Sequence, residues 1–143
     1  MTIEELSARV PFHANLDIRV LRAARGAGRA LLPAHRHVLN HASTVHAGAL
    51  FTLADVAAGA AVLPLVWDRV DELDFVARGA EVRYLKPARG PITASATCGQ
   101  ELWELETRGK VDVPVAVALT DEAGTQVAAM TVHWHLRRRH IHA

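Results

Sequence analysis

The chain has 143 residues, half of them hydrophobic and 22% charged, with a formal net charge of +1. That length suits one domain, residues 1–143, with a real core, and the near-neutral balance gives no reason to expect nucleic acid or an anionic membrane surface as a partner. Cys98 is the only cysteine, which excludes a disulfide framework and a cysteine-rich zinc site.

Thr2-Ile-Glu-Glu5 has the form of a capping box and predicts a short helix over residues 3–10, closed by Pro11. Leu16, Ile18 and Val20 then alternate with Asp17 and Arg19, as on a half-buried strand. Gly26 and Gly28 mark a turn, and Arg29 to Arg36 supplies a second strand. His37 to Thr44 reads as a polar loop in which Ser43 or Thr44 can cap the next helix.

That helix, at about residues 45–63, is apolar on nearly all faces and stops at Pro64. Residues 45–66 approach the length of a membrane span, but Asp55 near the midpoint and amphipathic strands on both sides argue against one. Met1 to Glu5 lacks the basic and apolar regions of a signal peptide, so a cytoplasmic setting is expected.

After a charged connection, Asp74 to Pro87 predicts a long strand, with Gly79 marking a bulge or a close backbone approach. Ile92, Ala94, Ala96 and Cys98 alternate with Thr93, Ser95 and Thr97, and Gln100 to Arg108 predicts a helical turn. Val111, Val113, Val115, Val117 and Leu119 form another alternating run. Pro114 cannot donate to a ladder, so that strand is expected to start at Val115 or to bulge. A last strand follows from Thr125 to Arg137, and residues 137–143 form a basic tail containing His140 and His142. One apolar helix among six strands fits an α+β fold in which an antiparallel sheet curls around the helix.

An unpaired carboxylate inside an apolar helix is expensive, so Asp55 must be compensated or used. Asn40 and His46 stand at the mouth of the same helix. Nine residues separate His46 from Asp55, which puts them on opposite sides of the helix and about 13 Å apart along its axis. Within one chain they cannot share a small substrate atom, so a common site requires a second copy. Gly48, Thr52, Asp55 and Gly59 fall on one small, polar stripe, where another backbone or a ligand could approach. The first-turn amides of Ala47 and Gly48 are ready donors for an oxyanion. A purely structural alternative stands beside this reading. In it Asp55 pairs with a core polar group, and Asn40 and His46 cap and tie a loop.

The pattern Asn40-x5-His46-Ala-Gly-x6-Asp55, followed by Tyr84-Leu-Lys-Pro-Ala88-x-Gly90, resembles the hotdog-fold acyl-CoA thioesterases of the PaaI-like branch. Related small hotdog domains of unassigned function share much of it, and the resemblance runs from about Leu16 to Leu136. It implies a curved antiparallel sheet wrapped around one central apolar helix, and hydrolysis of acyl-CoA to free acid and CoA. It implies Asp55 as general base or nucleophile, the Ala47 N–H as oxyanion donor, and Asn40 with His46 as the positioning pair from the partner subunit. Gly48 and Thr52 would line the substrate site.

The resemblance also implies a homodimer or a tetramer of dimers, with CoA as part of the substrate and no metal or redox cofactor. Three positions depart from the family pattern: Ala47 and Ser43 stand where glycines are usual, and Ala77 where a Ser or Thr often helps position the water. Arg78, Arg83, Lys86 and Arg89 lie on or after the strand that commonly borders the CoA groove, and some of them could meet its phosphates. Two other classes remain open, a non-catalytic acyl-CoA-binding or sensor protein and an acyl-thioester dehydratase or isomerase of the same fold.

His133 with His135, and His35 with His37, have the spacing of strand-borne metal ligands, but neither pair has a convincing third ligand, so no metal is expected.

Overall fold

The computed structural model describes Met1 to Arg139. The capping box forms as expected: Glu5 N–H donates to the Thr2 hydroxyl and Thr2 N–H to the Glu5 carboxylate, opening α1 (Ile3–Ala8). Pro11 does not close this helix. It stands at the first position of a second one, α2 (Pro11–Asn15), where its missing N–H costs nothing.

Asp17 takes φ +57, which delays the first strand. β1 is Arg19–Ala24 and β2 is Ala27–Leu32, joined by a tight turn at Gly26, φ +76. The central helix α3 (Ala47–Val62) hands over to a 3₁₀ turn at Leu63–Leu65 that contains Pro64, and a second 3₁₀ segment spans Trp67–Glu72. Then come β3 (Leu73–Tyr84), β4 (Ile92–Thr97), α4 (Trp103–Arg108), β5 (Lys110–Thr120) and β6 (Gln126–Arg138).

The six strands form one antiparallel sheet in the order β1-β2-β4-β5-β6-β3. It curls around α3, the hotdog arrangement. Val111, Val113, Val115, Val117 and Leu119 face the helix, as do Ile92, Ala94 and Ala96, so the period-two pattern chose the buried face. Leu50, Leu53, Val56 and Val62 meet them from α3. Ala47–Leu65 is long and apolar enough to cross a membrane by composition, but most of it is buried inside the sheet.

On the side that faces β2, α3 leaves no cavity. Ala57, Ala58 and Ala61 are fully buried, and β2 passes so close that a Cβ on Gly28 would sit 2.3 Å from the Ala57 carbonyl oxygen. Small residues on both elements bring the two backbones together.

Pro114 also departs from expectation, since β5 runs straight through it without a register break. The ladder with β4 ends at Ala116, so on that side no partner is present for Pro114 to bond. The expected bulge near Gly79 does form, with Arg78 as the extra residue between Ala77 and Gly79. The basic tail begins later than expected. Arg137 and Arg138 are the end of β6, and an Arg138 guanidinium N–H donates to the Leu105 carbonyl at 2.9 Å. His140 and His142 lie outside the described residues.

β3 is the exception to the buried pattern. Of its twelve residues only Leu73 is buried, and Val76, Ala77, Ala80 and Tyr84 are exposed along a free sheet edge. α3 packs chiefly against β2, β4 and β5, which leaves β3 standing beyond the shared core.

Candidate active site

The loop before α3 is built by Asn40. Its side-chain carbonyl accepts the N–H groups of Ala42 at 2.9 Å and Thr44 at 3.1 Å, and its amide donates to the Thr44 hydroxyl at 2.9 Å. This turn forces Ser43 to φ +60, in the left-handed region. The family's usual glycine at that position thus has a conformational reason here.

His46, not Ser43 or Thr44, caps α3. Its Nδ1 accepts the Gly48 N–H at 2.8 Å. The ring proton then belongs on Nε2, which makes the exposed edge of His46 a hydrogen-bond donor. Gly48 N–H is therefore not available to an oxyanion. Ala47 N–H has no acceptor among the described residues, and Ala47 is exposed. One first-turn amide remains for the task, beside the positive end of a 16-residue helix.

The Tyr-Leu-Lys-Pro-Ala segment completes this mouth. The Tyr84 hydroxyl donates to the Ala47 carbonyl at 3.3 Å, and the carbonyl of buried Ala88 accepts the Val45 N–H at 2.9 Å. The end of β3 is thereby hooked onto the start of α3, a role for Tyr84 that its motif spacing did not reveal.

Asp55 is elsewhere. It is half-buried, two turns further along α3, in the wall of an apolar cavity of about 130 Å³ lined on one side by α1 and α2. Neither Asn40, His46 nor Ala47 lines that cavity. Burial pushes the Asp55 carboxyl above the ordinary carboxylate range, and the charge of His13 pulls it partly back. His13 lines the same cavity from α2, with its Nδ1 3.2 Å from the Ser7 hydroxyl. It is 42 residues from Asp55 in sequence, and only the fold makes them neighbours.

The proposed helix stripe is not one open face. Gly48 is exposed at the mouth, but the Thr52 hydroxyl is buried and donates to the Gly48 carbonyl at 2.8 Å. Gly59 is covered by the Trp134 ring, whose nearest atom would be 3.4 Å from a Cβ there. Trp134 also carries a buried indole N–H without an acceptor among the described residues.

The basic candidates separate as well. Arg78 projects from its bulge into a concavity on the outer sheet face, beside Lys110 and Arg137. Lys86 and Arg89 follow the opposite end of β3, roughly 25 Å away along the strand. Arg89 sits near Ser43 and Val45 in a shallow cleft by the helix mouth. Ala77 is exposed on β3 and pairs with Trp134 in register.

His133, His135 and His35 have local partners. His133 pairs with Glu81 at 2.6 Å and His135 with Asp112 at 2.7 Å, each across to a different neighbouring strand. The His135 hydrogen bond holds the Asp112 carboxyl below its usual range. His35 Nε2 bonds the Leu16 carbonyl at 2.9 Å. Among the described residues no three potential ligands gather for a metal ion. Cys98 packs at the edge of the core, where burial pushes its thiol up.

The fold and the helix-mouth motif together define a small hotdog-fold protein. The chain belongs to the family described as domain of unknown function DUF4442, whose model matches residues 3–136. Among solved structures it is similar to a Pseudomonas aeruginosa protein of unknown function described as a probable thioesterase. That match has 27% identity over 96% of this chain and 94% of that one, with a TM-score of 0.84.

It also resembles a thioesterase from Haemophilus influenzae at 17% identity, covering 99% and 96% of the two chains with a TM-score of 0.78. The Escherichia coli PaaI protein of the phenylacetic acid degradation operon is similar at 20% identity, over 95% and 89%, with a TM-score of 0.72. No curated protein matches the chain in sequence.

Proposed function

We propose that the chain is an acyl-CoA thioesterase that acts as a homodimer, each active site drawing on both subunits. One observation carries the reading. The unpartnered Ala47 N–H and the half-buried Asp55 lie on one helix, about 12 Å apart along its axis and about 80° apart around it, so each needs a complement from a second copy. The free edge of β3, exposed along nearly its whole length, is a surface on which such a copy can pair. Of the three structural relatives described above, one is called a thioesterase and another a probable thioesterase, which favours hydrolysis among the chemistries this fold hosts.

In this reading the thioester carbonyl oxygen accepts the Ala47 N–H at the positive end of α3, with Asn40 and the His46 Nε2–H aligning substrate or water. Asp55 of the other subunit adds to the carbonyl carbon or takes a proton from an attacking water. Charge on the carbonyl oxygen is stabilised by the amide as the tetrahedral intermediate forms. Its collapse breaks the carbon–sulfur bond, and CoA leaves as the thiol after protonation; where Asp55 itself has added, the acyl–Asp55 anhydride left behind is hydrolysed by water to the free acid and the carboxylate. A carboxyl whose pKa is raised by burial is a stronger base than an ordinary carboxylate.

A second reading, a non-catalytic acyl-CoA sensor, draws on Ala77, which carries no hydroxyl to hold a water. A thiol-release assay over short, long and aryl acyl-CoAs separates the two, with Asp55→Asn in parallel. Hydrolysis lost in the variant supports the enzyme. Tight ester binding without turnover on any substrate supports the sensor.

A further inference from the structure

We propose that the cavity beneath α1 and α2 is the acyl pocket of this site, and that it admits only a short or single-ring acyl group. The inference rests on the hydrolytic reading, since it places the acyl chain against Asp55. Three observations lead to it.

The cavity is the concave space that Asp55 itself faces, so an acyl group lodged there brings its thioester to that carboxylate. Its walls are apolar apart from Asp55, His13 and Ser7: Ile3, Leu6 and Val10 come from the N-terminal segment, Leu63 from the end of α3, and Phe75 from β3. Such a lining binds hydrocarbon and offers little to a phosphate or a sugar.

Size is the third observation. The volume is about 130 Å³. An apolar cavity of roughly 150 Å³ holds one benzene, so this one suits a single ring or roughly four to six carbons.

The N-terminal helices are the outer wall. Leu6 and Val10 are only half-buried, whereas Leu63 and Ile3 are buried and close the deeper part. α1 and α2 are tied together by the contact between Ser7 and His13. A longer chain has to displace this pair of helices or leave its tail in water. Leu6 and Val10 are therefore the residues that set the limit on chain length.

The test is binding to Asp55→Asn, titrated calorimetrically with hexanoyl-, phenylacetyl- and decanoyl-CoA, alone and combined with Leu6→Ala. The hexanoyl and phenylacetyl esters are expected to bind at least about tenfold more tightly than decanoyl-CoA, and Leu6→Ala to narrow that gap. Decanoyl-CoA binding equally well or better overturns the proposal, as does a folded Leu6→Ala variant with an unchanged order. If Leu6→Ala does not fold, the order in Asp55→Asn alone decides. Wild-type protein that hydrolyses none of these esters while the affinity order holds counts against the hydrolytic reading and leaves the pocket supported.

Discussion

The His46 ring accepts the Gly48 N–H at 2.8 Å, and by doing so it divides the first turn of α3 between two tasks. Gly48 serves the helix, and Ala47 alone is left with a donor for something outside the chain. His46 thus holds the helix mouth together as well as lining it. Replacing it with Ala removes a side-chain cap and should cost about 1 kcal/mol of stability. His46→Asn keeps a capping oxygen but loses the outward Nε2–H. Thermal denaturation should show Asn restoring most of the loss. Hydrolysis should remain impaired in both variants if the ring also positions substrate.

Ser43 adopts φ +60 because the Asn40 side chain closes the turn around it. A left-handed conformation costs a residue with a Cβ more than it costs glycine, part of which glycine returns through its freer unfolded chain. Ser43→Gly should raise stability by roughly 0.5 to 1 kcal/mol, measured by urea denaturation. Ser43→Val should lower it.

Gly28 has no room for a side chain. Its added Cβ would meet backbone atoms of α3 at 2.3 Å and 2.7 Å, and backbone cannot rotate away as a side chain can. Gly28→Ala should cost about 3 kcal/mol or leave the protein insoluble, whereas Gly99→Ala, in open space, should be close to neutral. Equal stability of the two variants by denaturation would show that β2 and α3 are not in such contact.

Asp55 gives the pH dependence its sign. Burial raises its folded-state pKa above the unfolded value, so the folded protein holds the proton more tightly. Stability contributed by this group falls as pH rises from the unfolded pKa through the folded one, and stays lower above it. Asp55→Asn should therefore be more stable than the parent at neutral pH and differ little in acid, while losing activity.

The His13 charge partly offsets the shift, so His13→Gln should move the acid limb of the kcat/KM profile to higher pH. An acid limb that stays in place would remove His13 from the site.

Much of the fold was legible because it rests on period-two patterns. The runs Ile92–Ala96 and Val111–Leu119 alternate cleanly, and the structure buries the expected face of each. The bulge beside Gly79 and the capping box at Thr2 were equally local. What sequence reading misjudged depends on contacts between distant segments. Pro114 is tolerated because β4 ends two residues away. The close passage of β2 over Ala57 and Ala61 has no local sign either.

Of the candidate site, Asp55 and the Asn40–His46 mouth could be picked out by spacing, and helix geometry set the condition that a site common to them takes a second copy. His13 and Tyr84 could not be picked out. Each reaches α3 from another element, and neither carries a local signal of the partner it meets.

The central claim is a site divided between two subunits, and it is tested most directly by a heterodimer. Asn40→Ala and Asp55→Asn chains carrying different tags are co-expressed, and the doubly tagged species is assayed for thiol release from the best acyl-CoA substrate. In a two-fold dimer such a species keeps one intact site, made of Asp55 from the first chain and Asn40 from the second. The account predicts about half of wild-type activity, from two chains that are each inactive as homodimers. A doubly tagged dimer no more active than either homodimer would contradict it.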